Sequence, residues 1–68
     1  FLPLVESYPW DSKHFRFLGS PIDGIQFEED RIILVEFKSS FSQMSGRQRK
    51  IKNLVEQGKV EFELIRAG

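Results

Sequence analysis

The sequence contains no cysteine among its 68 residues. This absence excludes disulfides, thiolate nucleophiles and zinc sites built on cysteine. The chain also has no apolar run near the roughly 20 residues that a membrane-spanning helix needs, and no signal-peptide pattern at its start. We therefore expect a cytoplasmic domain that makes no membrane contact of its own.

An initiator methionine is absent too, because the chain begins at Phe1 and its single methionine is Met44. We therefore expect a fragment of a longer protein. Residues 1–68 form one domain at most, since a chain of this size buries only about 60% of its unfolded surface. Apolar residues at 40%, with seven phenylalanines, still favour a folded domain over disorder.

Net charge is zero, because ten basic and ten acidic residues balance. The balance conceals two segments of opposite sign. Residues 20–44 hold five acidic and two basic side chains, whereas residues 45–59 hold five basic and one acidic. The pattern indicates an acidic part of the domain followed by a basic one.

Hydrophobic periodicity predicts an α/β domain with a small mixed sheet and the order β-β-β-α-β. Alternation and short apolar runs predict strands at residues 14–18, 22–27, 31–38 and 60–64. An S-x-x-Q capping box at Ser45 and an apolar stripe predict a helix that Gly58 ends. The β-α-β part is expected to be right-handed with parallel strands, and residues 1–13 form an extended N-terminal segment.

Side-chain parity sets the register of the second and third strands. If their apolar side chains share one buried face, Phe27 pairs with Ile32 and Asp23 faces Glu36. Directly opposed like charges destabilise an antiparallel pair, so the two carboxylates require an explanation. Gly24, inside the second strand, indicates close approach of a ligand or of backbone.

A metal site explains the opposed carboxylates. Lys38 lies on the face of Glu36 and neutralises only one of the two negative charges, so the cluster suits a divalent cation. Few, hard oxygen ligands favour Mg²⁺ or Mn²⁺, which leave positions for a phosphate oxygen. The metal would lower the pKa of a bound water, and Lys38 would orient that water or the phosphate. An ion-pair cluster of Asp23, Lys38 and Glu36 at a solvated sheet end remains the alternative.

A basic cluster at the start of the helix favours DNA binding. Backbone N–H groups at a helix start also attract phosphate. An ordinary solvated helix face is the alternative interpretation. The cluster consists of Arg47, Arg49, Lys50 and Lys52.

The run ILVEFK that ends at Lys38, with Asp23 upstream, resembles the signature of PD-(D/E)xK nucleases. Over almost its whole length the chain is similar to endonuclease-like proteins distantly related to archaeal Holliday junction resolvases. The resemblance implies a restriction-endonuclease-like αβββαβ core in which Lys38 is catalytic. It also implies that Asp23, Glu36 and the backbone carbonyl of Phe37 bind the metal. In some related nucleases a glutamine on the helix faces the site, which makes Gln48 a secondary candidate.

Two departures from the nuclease pattern stand out. Pro21 lies two residues before Asp23 rather than next to it. The N-terminal helix, which often supplies another acidic residue, is absent, and Glu6 in a proline-flanked stretch is a poor substitute. We expect that helix upstream of Phe1, where relatives of this kind can also carry a membrane-anchoring or coiled segment.

The sequence thus predicts a Mg²⁺-dependent endonuclease that hydrolyses DNA, although the fragment on its own need not be active. Preference for branched or structured DNA rests on the resemblance alone, and a homodimer is compatible with the prediction. The competing hypothesis is a catalytically silent module of the same fold that binds nucleic acid or a protein partner.

Overall fold

The computed structural model describes residues 7–68 of the chain. They form a three-stranded antiparallel sheet in the order β1-β2-β3, with one helix, which confirms the predicted combination of sheet and helix. A one-turn 3-10 helix precedes the sheet at Ser12–His14; it includes the last two residues of the segment predicted as extended and the first residue of the predicted first strand. Glu6 and the rest of residues 1–6 lie outside the described residues. The elements are β1 (Phe15–Phe17), β2 (Gly24–Phe27), β3 (Ile32–Val35) and α1 (Gly46–Glu56).

The hairpin of β2 and β3 has the register that side-chain parity predicts. Phe27 lies opposite Ile32. Continuing the same register one residue beyond the ladder places Asp23 opposite Glu36. Both strands are shorter than predicted, and the two acidic residues therefore lie just outside them.

The more buried face of the sheet is not the predicted one. Phe27 and Ile32 are exposed, whereas Phe15, Gln26 and Val35 on the opposite face are buried. The difference arises because aromatic side chains of the N-terminal segment cover that opposite face. The ring of Tyr8 lies 6.2 Å from that of Phe15, in edge-to-face contact.

Gln26 is fully buried under this cover, and its amide group is fully hydrogen-bonded. Its Oε1 accepts from the hydroxyl of Tyr8. Its Nε2 donates to the carbonyl oxygen of Asp11 at 2.8 Å and to Oε2 of Glu28 at 2.9 Å. Burial, and secondarily the negative charge of Glu28, raise the pKa of Tyr8 above its usual 10.0. A polar residue in a strand can therefore lie in the core when every polar atom has a partner.

Gly24 is explained by β1. A Cβ at this position would lie 2.4 Å from the carbonyl oxygen of Arg16 and 2.4 Å from Cζ of Phe15. The close approach that the sequence predicts is therefore made by the backbone and a ring of the neighbouring strand.

The predicted fourth strand is wrong for the part of the chain that the structure describes. The sheet ends at β3, and residues 60–64 belong to no strand. The side chain of Phe62, for example, is 91% exposed. Alternation specifies two faces of a strand, but a strand gains its hydrogen bonds only beside a neighbour. Without a fourth strand, residues 7–68 contain no parallel β-α-β unit either.

The helix α1 begins and ends as the sequence predicts. The capping box of Ser45 and Gln48 is complete. At the C-terminus, Gly58 has a φ of 73°, and the N–H groups of Gly58 and Lys59 donate to carbonyl oxygens of the last turn, which is a Schellman motif. Within residues 7–68, no helix has the length and apolar character needed to cross a membrane.

Candidate catalytic site

The candidate site lies where the ends of β2 and β3 meet the first turn of α1. Asp23 immediately precedes β2, and Glu36 immediately follows β3. Gln48 lies in the first turn of α1 and points at the same strand ends. Glu36 and Gln48 also line the groove between helix and sheet, together with apolar side chains such as Leu34 and Ile51.

Asp23 and Glu36 are joined by crossed hydrogen bonds between side chain and backbone. The N–H of Asp23 donates to Oε1 of Glu36 at 2.9 Å. The N–H of Phe37 donates to Oδ2 of Asp23 at 2.7 Å. Each carboxylate thus holds a backbone N–H group of the opposite strand where the regular ladder has ended. Hydrogen bonds to ionised acceptors are strong, and they offset the repulsion expected between the two charges.

Lys38 and Gln48 both contact the second oxygen of Glu36. The Nζ of Lys38 lies 3.1 Å from Oε2, and the side chains of Lys38 and Glu36 are 31% and 15% exposed. The Nε2 of Gln48 donates to the same oxygen at 3.0 Å. The Glu36 carboxylate therefore lies in the interior of the site, and the Lys38 ammonium lies at its rim.

The two interpretations of Gln48 both hold in the geometry. Its Oε1 accepts from the N–H of Ser45 at 3.0 Å and completes the capping box. Its Nε2 donates to Glu36 and also to the carbonyl oxygen of Pro21, at 3.1 Å. One side chain thus ties the start of α1 to both strand ends.

A family model described as an endonuclease related to archaeal Holliday junction resolvase matches residues 1–67. The chain belongs to this family. No curated protein and no solved structure matches the chain significantly. The match includes the site described above and the basic start of α1.

The structure brings together four residues that the sequence selects, namely Asp23, Glu36, Lys38 and Gln48. Their catalytic and metal-binding roles in this endonuclease-related chain stay predictions, as does the role of the Phe37 carbonyl. Sequence reasoning missed that the carboxylates also bind backbone N–H groups. No sequence signal indicated this, because the predicted strands included both acids, whereas the observed strands end one residue short of each acid and the ladder hydrogen bonds stop there.

Two of the four basic residues of α1 make contacts within the protein. Nη1 of Arg49 donates to the carbonyl oxygen of Met44 at 2.6 Å, and Nζ of Lys52 lies 3.0 Å from Oε2 of Glu56. All four residues are exposed, but within the described residues no such contact is found for Arg47 and Lys50. Contact of the four residues with DNA stays a prediction, and Arg47 and Lys50 are the best placed to make it.

The donor set at the site suits an open metal site rather than a closed cage. The described part of the chain contains no group of three or more His, Cys, Asp or Glu side chains placed to share a metal ion. Mg²⁺, however, is commonly bound by one or two carboxylates together with waters and substrate phosphates. Each carboxylate has about four lone-pair positions, so Asp23 and Glu36 retain acceptor capacity beyond their hydrogen bonds. The residues present fit that kind of ion.

Proposed function

We propose that this chain carries the catalytic centre of a metal-dependent DNA endonuclease that hydrolyses phosphodiester bonds, with branched or otherwise structured DNA as its substrate. The observation that supports the proposal is the convergence of Asp23, Glu36 and Lys38 at one end of the sheet, in a chain of an endonuclease-related family. On this proposal, the sheet and α1 are part of a restriction-endonuclease-like core.

Asp23, Glu36 and the backbone carbonyl of Phe37 are the groups that would hold Mg²⁺ or Mn²⁺. A bound ion of this kind lowers the pKa of its water and neutralises charge that develops on phosphorus. The protein supplies carboxylates whose positions are fixed in advance by backbone hydrogen bonds, so little reorganisation is needed when substrate arrives.

Lys38 is the proposed catalytic cation. Its ammonium group has three donors and contacts Glu36 from the partly exposed rim. A donor therefore remains for a phosphate oxygen or for the attacking water. Gln48 is a positioning residue on this proposal, because it holds Glu36 from the side of the helix.

A catalytically silent DNA-binding or protein-binding module is the second candidate. The crossed hydrogen bonds favour this candidate, because they give Asp23 and Glu36 a structural role that needs no metal. This candidate needs the basic residues of α1 but no bound metal.

The proposal is tested by cleavage of an end-labelled four-way DNA junction and of a linear duplex of the same sequence. The full chain is compared with Asp23→Asn and Lys38→Gln in Mg²⁺, Mn²⁺ or EDTA. We expect cleavage only with a metal, faster on the junction, and about 100-fold or more slower in both variants, since the metal and the cation each supply several kcal/mol of transition-state stabilisation.

Lys59→Gln, which removes an exposed lysine after α1, is the matched control and should cleave like the wild type. Equal cleavage of junction and duplex would remove the substrate preference. A wild-type chain that binds DNA, cuts neither substrate with either metal and has the same Tm with and without each metal would favour the silent module instead.

A further inference from the structure

The loop between Lys38 and α1, which starts at the candidate site, presents an aromatic side chain to solvent. Phe41 is 96% exposed. It occupies the third position of a turn in which the N–H of Ser42 donates to the carbonyl oxygen of Ser39 at 3.2 Å. The hydroxyl oxygens of these two serines also lie 2.7 Å apart. The ring therefore projects from a hydrogen-bonded turn.

Both ends of this loop are anchored. Lys38, immediately before it, is held by Glu36. Met44, near its end, is half-buried in the groove under α1 and accepts a hydrogen bond from Arg49 through its carbonyl oxygen. The position of Phe41 relative to the candidate site is thus constrained, and its Cα lies within about 11 Å of that of Lys38, three residues away.

The chain segment that contains Phe41 has a composition suited to binding a polyanion that also carries flat apolar groups. Residues 38–55 contain five basic side chains and no acidic one, so the segment attracts phosphates. The neighbours of Phe41 within the loop are serine and glutamine, which are uncharged. A nucleic acid strand offers both partners, since its phosphates pair with cations and every base has a face that stacks on an aromatic ring.

We propose that Phe41 is a stacking site for an unpaired nucleobase next to the phosphate that is cleaved. A base inside a duplex already stacks on its neighbours, so the ring selects DNA in which a base near the cleavage point is unstacked. This inference rests on the proposed function and gives it a physical basis for preferring structured DNA.

The test is a thermodynamic cycle on binding, measured with the full chain in EDTA so that no cleavage occurs. Wild type and Phe41→Ala are titrated with three DNAs: a linear duplex, a junction with unpaired nucleotides at its branch point, and the same junction with abasic residues at those nucleotides. We expect Phe41→Ala to bind the unpaired junction about 5- to 150-fold more weakly. It should bind the duplex and the abasic junction like the wild type.

Two further substitutions separate stacking from general apolar contact. Phe41→Trp keeps a ring face and should retain the affinity for the unpaired junction, whereas Phe41→Leu keeps apolar volume and should lose most of it. Phe62→Ala is the matched control, because Phe62 is 91% exposed and lies beyond α1. It should bind all three DNAs normally.

An unchanged affinity of Phe41→Ala for the unpaired junction would overturn the inference, as would an equal loss on the abasic junction. In the second case Phe41 contacts backbone or another protein surface rather than a base. These binding outcomes can be told apart from failure of the proposed function. The proposed function fails if the wild type does not cleave DNA when metal is added, and that result does not depend on the binding measurements. Failure of the wild type to bind any of the three DNAs would overturn both.

Discussion

Replacing Glu36 with glutamine tests whether the hydrogen bonds of the candidate site stabilise the fold. The amide introduced by Glu36→Gln keeps one oxygen, which can still accept from the N–H of Asp23. Its nitrogen would take the place of Oε2, opposite the donors of Lys38 and Gln48. The donors of Lys38, of Gln48 and of the new amide would then face one another with no acceptor between them.

The expected loss follows from the contacts removed. A hydrogen bond to a charged group is worth about 1.5–3 kcal/mol, and the ion pair with Lys38 adds only about 0–1 kcal/mol because the lysine is partly exposed. Relief of repulsion with Asp23 returns about 0.2–1 kcal/mol. Together these contributions predict that Glu36→Gln lowers the free energy of unfolding by about 0.5–4 kcal/mol in metal-free buffer. Each kcal/mol lost lowers the Tm by about 4–8 °C in a domain of this size.

The assay is thermal unfolding in EDTA and in millimolar Mg²⁺ or Mn²⁺, with Glu61→Gln as control. Glu61 is exposed beyond α1, so its replacement should leave Tm unchanged. A metal that binds the folded state raises its stability, and we expect this rise in the wild type but not in Glu36→Gln.

A Glu36→Gln variant as stable as the wild type in EDTA, or more stable, would refute the reasoning. Repulsion between the carboxylates would then outweigh the hydrogen bonds. If neither metal changes the Tm of the wild type and Glu36→Gln is destabilised, the hydrogen-bond argument holds and the silent module is favoured.

Two further predictions concern the helix surface and the aromatic cover of the sheet. Arg47→Ala with Lys50→Ala should flatten the log-log salt dependence of duplex binding by about 1.8, at about 0.9 for each lost phosphate contact. The control pair Lys13→Ala with Lys59→Ala should leave this slope unchanged. Equal slopes for the two double variants would show that the basic face of α1 is solvated and makes no phosphate contacts. Tyr8, the single tyrosine, should ionise above pH 10.0 in the folded chain because burial and Glu28 raise its pKa. The contribution of neutral Tyr8 to stability is complete below the pKa that Tyr8 has in the unfolded chain, and it is lost as pH rises through the pKa of the folded chain. Ultraviolet titration of the tyrosine with and without urea checks this, and equal midpoints in the two titrations would contradict it.

Local patterns predicted the parts of the fold whose partners are close in sequence. The β2–β3 register follows from side-chain parity across a short turn, and the start of α1 follows from Ser45 and Gln48, three residues apart. The buried face of the sheet did not follow, because both faces of the hairpin carry apolar side chains. The choice between them depends on Tyr8, which reaches Gln26 from 18 residues away.

The candidate site was predictable in its members but not in its connections. The spacing of Glu36 and Lys38, with Asp23 at matching parity, selected the three residues. The local pattern predicted only the capping role of Gln48, because a capping glutamine looks the same whether or not its amide reaches further. Only the resemblance to related nucleases indicated that Gln48 faces the site. The strand expected at residues 60–64 failed for a related reason, since alternation identifies no neighbour for it.

The crossed hydrogen bonds between Asp23 and Glu36 have an evolutionary consequence. A member of this family that did not cut DNA would still lose stability if either acid were replaced, so selection on folding alone is enough to keep both. An intact acidic pair can thus be inherited by proteins that have taken up other tasks. Lys38 joins no strand ends and lies at the rim, so on the proposed function it is the residue expected to change first in a member that does not cleave DNA.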